Sequence, residues 1–163
     1  MTALQTQFQP IVLRRLTDLY PHEKKDNVAG PGIEKQLKDD VLENITMLFN
    51  SRSHPSLTEL NNNEEIENSV LGYGLSDCCG KMEIKTNHED LRQEVIRELQ
   101  VFEPRLAPES IAIEFVRTKA HTGSLVEFQI SALIEVGEIS KDILLLARLD
   151  VETGIADVFP LTD

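Results

Sequence analysis

The spacing of apolar residues changes once along this chain, and that change restricts the folds open to it. Before Pro104 apolar side chains recur every three or four residues. Ile33, Leu37, Val41, Leu42, Ile45, Leu48 and Phe49 form one stripe down a helix whose other face carries Lys and Asp. His54-Pro55-Ser56 ends that helix. Asn61-Asn62-Asn63-Glu64-Glu65 supplies a cap and first-turn acids for a short helix running to Gly72. A third helix starts near Thr86-Asn87, where Thr86 and Glu89 have capping-box spacing, and places Leu91, Val95, Leu99 and Phe102 on one face. After Pro104 the period is two. Ile111, Ile113 and Phe115 alternate with Ala112 and Glu114, and Val126, Phe128, Ile130, Ala132 and Ile134 alternate with mostly polar neighbours. Residues 143–151 are more apolar on both faces, and 155–159 form a short last strand. His121-Thr122-Gly123 and Glu152-Thr153-Gly154 each put Gly third in a short loop, suited to closing a hairpin. The pattern predicts an α+β fold, with N-terminal helices packed on one face of a four-stranded antiparallel β-meander in two layers.

Two regions follow from the same reading. Residues 1–32 form an N-terminal arm and linker. Pro10 opens one or two helical turns, and residues 21–32 are polar with Pro-Gly punctuation. Residues 33–163 form a single α+β domain, a size near the common range of roughly 100–150 residues. The chain carries 28 acidic and 16 basic residues, a net charge of −12. That excess repels phosphate backbones and anionic membrane surfaces, so neither nucleic acid nor direct membrane insertion is expected. The longest apolar run, Ile143 to Ala147, falls short of the about 20 residues that span a bilayer. No charged segment followed by a long apolar stretch opens the chain, so no secretory signal is expected. Cys78 and Cys79 are adjacent, where a disulfide is strained and closes no useful loop. These features point to a reducing cytoplasm.

The search for chemistry returns little. His22, His54, His88 and His121 lie in polar contexts, and none pairs with another His or with Cys at zinc-site spacing, so no metal and no cofactor is expected. Carboxylates are abundant, but nothing selects a pair for glycoside hydrolysis. Glu64-Glu65 resemble helix-start acids and Asp39-Asp40 a solvated helix face. There is no G-x-S-x-G elbow and no dinucleotide fingerprint, and Gly72-Tyr73-Gly74 fits a helix C-cap better than a phosphate loop. One stretch stands apart, Phe102-Glu103-Pro104-Arg105-Leu106. Proline restricts Glu103 to extended geometry, which would put Glu103 and Arg105 on one side of a stiff link. Such a pair suits recognition by a planar guanidinium; it equally fits a helix exit with a surface ion pair worth roughly 0–1 kcal/mol. A meander also leaves two sheet edges, each either a strand acceptor or a blunted edge. Pro160 lacks the donor a ladder needs and is expected to stop pairing there.

Four stretches resemble the family of phage tail baseplate wedge proteins and their type VI secretion counterpart, TssE. They are Arg15-Leu16-Thr17-Asp18, residues 41–52 (VLENITMLFNSR), Gly72-Tyr73-Gly74-Leu75-Ser76-Asp77 and Glu103-Pro104-Arg105-Leu106. Their order and spacing match across nearly the whole chain. Ser51 stands where Thr is usual, Ser76 where Pro is usual, and the Cys78-Cys79 pair is unfamiliar. The resemblance implies a structural subunit of a contractile injection baseplate and not an enzyme. It further implies docking on the wedge core subunits through Glu103, Pro104 and Arg105, with Asn50 and Arg52 as the second marker. A strand-rich half would then prime polymerisation of the sheath subunits by strand pairing, at the cytoplasmic face of the inner membrane. The alternative is a peptidoglycan-cleaving, lysozyme-like hydrolase.

Overall fold

A computed structural model describes residues 33–53, 64–76, 88–116 and 125–161. The expected arm over residues 1–32, the cysteine pair, the caps at 54–56, 61–63 and 86–87, and the 121–123 joint lie outside the described residues.

Helix α1 (Ile33–Asn50) buries Leu37, Val41, Ile45, Leu48 and Phe49, the stripe its spacing predicts. Asp40 corrects the reading of that helix, because it is fully buried and not on a solvated face. At about 100° per residue, Asp40 and Asn44 flank the apolar stripe on one side. That side meets the polar turn described below. The helix expected over 61–72 is broken into α2 (Glu64–Glu67) and a 3-10 turn (Val70–Gly72). Ser69 separates them, its hydroxyl donating to Ile66 O at 2.6 Å and accepting from Leu71 N at 3.3 Å. A serine side chain satisfying local backbone groups competes with the helix and starts a new turn. Helix α3 (His88–Phe102) buries Leu91, Val95 and Leu99.

Four strands follow: β1 (Ala112–Phe115), β2 (Leu125–Val136), β3 (Ile139–Asp150) and β4 (Ala156–Pro160). They pair antiparallel in the order β1-β2-β3-β4, the expected meander. Gly137, at φ +62°, opens the two-residue turn between Val136 and Ile139, which face each other. Gly154, at φ +70°, closes the β3–β4 loop. Val126, Phe128, Ile130, Ala132 and Ile134 of β2 and Ile143, Leu145, Ala147 and Leu149 of β3 share one buried cluster with the apolar stripes of α1 and α3. Helices and sheet therefore form two layers around one core. On the other face, Leu146 pairs with Phe159, Arg148 lies over the Phe159 ring at 5.4 Å, and Glu127 holds Arg148 at 2.7 Å.

Pro160 does not end the pairing. It faces Leu145, and the next residue adds a bond from Leu161 N to Leu144 O at 2.9 Å. In an antiparallel ladder alternate residues turn their N–H and C=O to the partner. Residue 161 does so, which puts the nitrogen of Pro160 on the outer edge, where no ladder donor is needed.

Candidate docking site

Glu103-Pro104-Arg105-Leu106 forms a turn and not the extended link expected from the sequence. Leu106 N donates to Glu103 O at 3.0 Å, so Pro104 occupies the second position of a four-residue turn, where its fixed φ is favoured. The turn is fastened from two directions. Towards the sheet, Glu135 N donates to Arg105 O and Ala107 N to Leu133 O, both at 2.8 Å. These bonds continue the outer edge of β2 beyond the end of β1. Towards α1, Asn44 Nδ2 donates to Glu103 Oε2 at 3.2 Å and Arg105 Nη2 reaches Asp40 O at 3.4 Å.

Glu103 and Arg105 do pair, through both carboxylate oxygens. Arg105 Nε lies 2.6 Å from Oε1 and Nη2 lies 2.7 Å from Oε2. This is no surface ion pair, because the side chains are only 2% and 16% exposed. The turn brings the two together where extended geometry was expected to. Pro104 is the exposed member of the triplet.

The second marker lies at the end of α1. Asn50 donates to Ala156 O at 2.7 Å and accepts from Ala156 N at 3.0 Å, so one side-chain amide closes both outward backbone groups of that β4 residue. Arg52 donates through Nη1 to Phe49 O at 3.1 Å and Ser51 O at 3.0 Å, and through Nη2 to Gly154 O. Both residues remain exposed. From Asn44 to Asn50 the helix advances about 9 Å, so the two markers occupy separate positions on one helix.

The third stretch joins them. Gly74, at φ +110°, lies against the α1 exit so closely that a Cβ would meet Ser51 C at 2.5 Å and Ser51 O at 2.6 Å. Gly72 has no space for a Cβ over Glu67 O. Arg52 and Leu75 form a parallel bridge, with Ser53 N donating to Leu75 O at 3.2 Å. The Tyr73 ring meets Phe102 edge-on at 5.2 Å, and burial, then the Glu103 charge, raises its phenol above the usual value of 10.0. The pair of glycines is thus a close-packing device, not the helix C-cap expected. The fourth stretch, at 15–18, lies outside the described residues. The sequence marks neither Asp40, which it places on a solvated face, nor Asn44, because polar residues inside a helical period carry no sign of which polar residue they will face.

Glu98 of α3 is 4% exposed, and its pKa is raised from 4.5 to about 7. Burial is the main cause; Arg97 and the backbone N–H of Gly74 lower it, while Glu94 and Glu67 raise it. Glu98 does not line the small pocket of about 80 Å³ bounded by Lys38, Asp39, Leu42, Ile143, Leu144, Leu145, Pro160 and Leu161. Among the described residues no group of His, Cys, Asp or Glu is arranged to hold a metal, and no helix is long and apolar enough to cross a membrane.

The family model of baseplate wedge protein gp25 matches residues 35–138. The chain belongs to that family. It is also the family of TssE, as the four stretches suggested. No curated protein and no solved structure matches the chain. The gp25 match runs from the first turn of α1 to the β2–β3 turn and includes both markers, Asn50 with Arg52 and Glu103 with Arg105. Membership gives the chain a structural role in a baseplate, assembled with other baseplate components.

Proposed function

We propose that this chain is a structural, non-catalytic subunit of a type VI secretion baseplate at the cytoplasmic face of the inner membrane. It docks on the wedge core through the Glu103-Pro104-Arg105 turn and primes sheath polymerisation by pairing a strand at its sheet edge. Asn50 and Arg52 form a second contact at the other end of α1.

The observation that carries this reading is the fixed presentation of Pro104. Main-chain bonds to β2 and side-chain bonds to α1 hold the turn on both sides, leaving an exposed proline at its apex. A rigid exposed apex loses little conformational freedom on binding.

Affinity purification of the tagged chain from its native cells, beside Pro104→Lys, tests the assignment. Wedge subunits should co-purify with the parent and be lost from the variant, whose thermal unfolding stays close to the parental one. Recovery of the same wedge subunits with Pro104→Lys would remove the turn from the interface. A peptidoglycan-release assay on the purified chain should give no soluble muropeptides, and release above background would restore the hydrolase reading.

A further inference from the structure

We propose that residues Gly74–Ser76 form a proton-controlled latch, held shut on α3 by the protonated carboxyl of Glu98, that sets the exit of α1 at Arg52. The latch is a property of the chain itself and does not depend on which partner the chain meets.

The segment is clasped from two sides. From α3, Glu94 Oε1 accepts from Ser76 N at 2.5 Å, and the Glu98 carboxyl accepts from the backbone N–H of Gly74. Glu94 and Glu98 stand four residues apart, so one face of α3 presents both carboxylates to the segment. From α1, Arg52 bridges Leu75, Ser53 N donates to Leu75 O at 3.2 Å, and Gly74 lies against Ser51 with no room for a Cβ. Leu75 sits between the two residues anchored on α3. Lifting them therefore breaks the bridge to Arg52, whose guanidinium in turn donates to Gly154 O. Leu75 is also buried, which keeps the closed form in the majority.

The charges around Glu98 do not balance. Among the described residues, the charged groups that act on it are Arg97 and Glu94 from its own helix and Glu67 from α2. The guanidinium of Arg97 is divided, with Nη1 3.3 Å from Glu98 Oε1 and Nη2 2.9 Å from Glu67 Oε2. Three carboxylates thus share one cation, which favours a proton on one of them. Glu98 is the one to take it. Its side chain is 4% exposed against 31% for Glu67, and Glu94 already accepts the Ser76 amide. Glu98 Oε2 has no hydrogen-bond partner among the described residues, and a buried charge without a donor costs far more than a neutral group.

Ionisation turns this arrangement against the closed form. A charged Glu98 repels Glu94 and Glu67, and lifting Gly74–Ser76 off α3 admits the water that relieves it. The closed latch holds Glu98 at about 7, and water returns it to the ordinary 4.5. Protons therefore favour closure, which is strongest below pH 4.5 and weakens until the pH has passed 7. Between pH 5.5 and pH 8 the closed-to-open ratio falls by about 25-fold.

Amide hydrogen exchange on the full chain, corrected for intrinsic exchange at each pH, reads that ratio. The amides of Gly74, Ser76 and Ser53 should be less protected than those of Ile130 and Leu145, which pair in the middle of the sheet. Their protection should fall by about 25-fold between pH 5.5 and pH 8. Glu98→Gln should hold it nearly constant over the same range. Should Glu98→Gln not fold, Glu94→Gln must move the fall to lower pH, because the Glu94 charge raises Glu98. Protection of the three amides equal to that of the sheet pair at every pH would overturn the latch, since the segment would then open only with the whole chain. A fall below about threefold, or one that survives Glu98→Gln, would overturn the role of Glu98. A fall at Gly74 and Ser76 with none at Ser53 would overturn the coupling to the α1 exit.

Discussion

Replacing Arg105 by Ala separates two roles that the sequence alone left open. In the folded chain the guanidinium faces a carboxylate that is 2% exposed, through two bonds of 2.6 and 2.7 Å. Truncation leaves Glu103 buried with Asn44 Nδ2 at 3.2 Å as its remaining side-chain donor. Removing one partner of a buried ion pair costs about 3–5 kcal/mol, against roughly 0–1 kcal/mol for an exposed one. At roughly 2–4 °C per kcal/mol for a chain of this size, the melting temperature should fall by roughly 6–20 °C. The chain has no Trp, so urea unfolding followed by far-ultraviolet circular dichroism is the suitable assay. A second variant isolates the cause. Glu103→Met with Arg105→Met leaves no buried charge and should recover most of the lost stability, because apolar replacement of a buried pair is often neutral or better. A loss below about 1 kcal/mol for Arg105→Ala, combined with loss of wedge partners, would refute this reasoning and make the guanidinium a direct contact.

Three further outcomes follow from the geometry. Gly74→Ala should lose at least about 1–3 kcal/mol in the same titration, since φ +110° and the contact with Ser51 C and O both oppose a Cβ. Asn50→Asp should be more destabilising than Asn50→Ala, itself about 1–3 kcal/mol, because a carboxylate would face Ala156 O with no donor to offer. Glu98 makes stability fall as pH rises. Its folded pKa of about 7 exceeds the ordinary 4.5, so between those values the folded chain binds more protons than the unfolded one. At about 1.36 kcal/mol per unit this slope amounts to on the order of 3 kcal/mol, and Glu98→Gln should remove it when unfolding is compared at pH 4.5 and pH 8.

The fold was legible wherever burial imposes a period. The α1 stripe and the alternation of β2 needed no partner to be recognised, since each pattern reports the geometry of its own element. Polar residues inside such patterns were not legible. Asp40 looks like its neighbour Asp39, yet it is buried and Asp39 is exposed, because the turn at 103–106 meets only one side of the helix. The Glu103–Arg105 pair was anticipated for the wrong geometric reason. Proline was read as enforcing extension, whereas the contacts with β2 and α1 fold the segment into a turn that proline also favours. Ser69 broke an expected helix through a local hydroxyl bond, a competition that helix propensity describes only on average. The Gly137-Glu138 turn lay hidden in a continuous run of strand formers, although glycine there carried the usual signal.

The two markers share a structural effect that neither shows alone. Glu103 and Arg105 fix a turn whose backbone covers the outer edge of β2 near the hairpin tip. Asn50 and Arg52 fix the start of β4, with the asparagine amide occupying the outer groups of Ala156. Each motif therefore closes backbone groups that an unprotected sheet would offer to any passing strand. Among the described residues both flanks of the sheet are thus partly closed, one by each motif. If selective pairing is the purpose, loosening either motif should cost selectivity before it costs binding. Asn50→Ala would uncover the outer groups of Ala156 on β4, and the chain should then pair with itself or with unrelated strands as well. Sedimentation of purified Asn50→Ala distinguishes the cases. A concentration-dependent dimer absent from the parent supports edge protection, while a monomer that has lost only stability confines the asparagine to holding the loop.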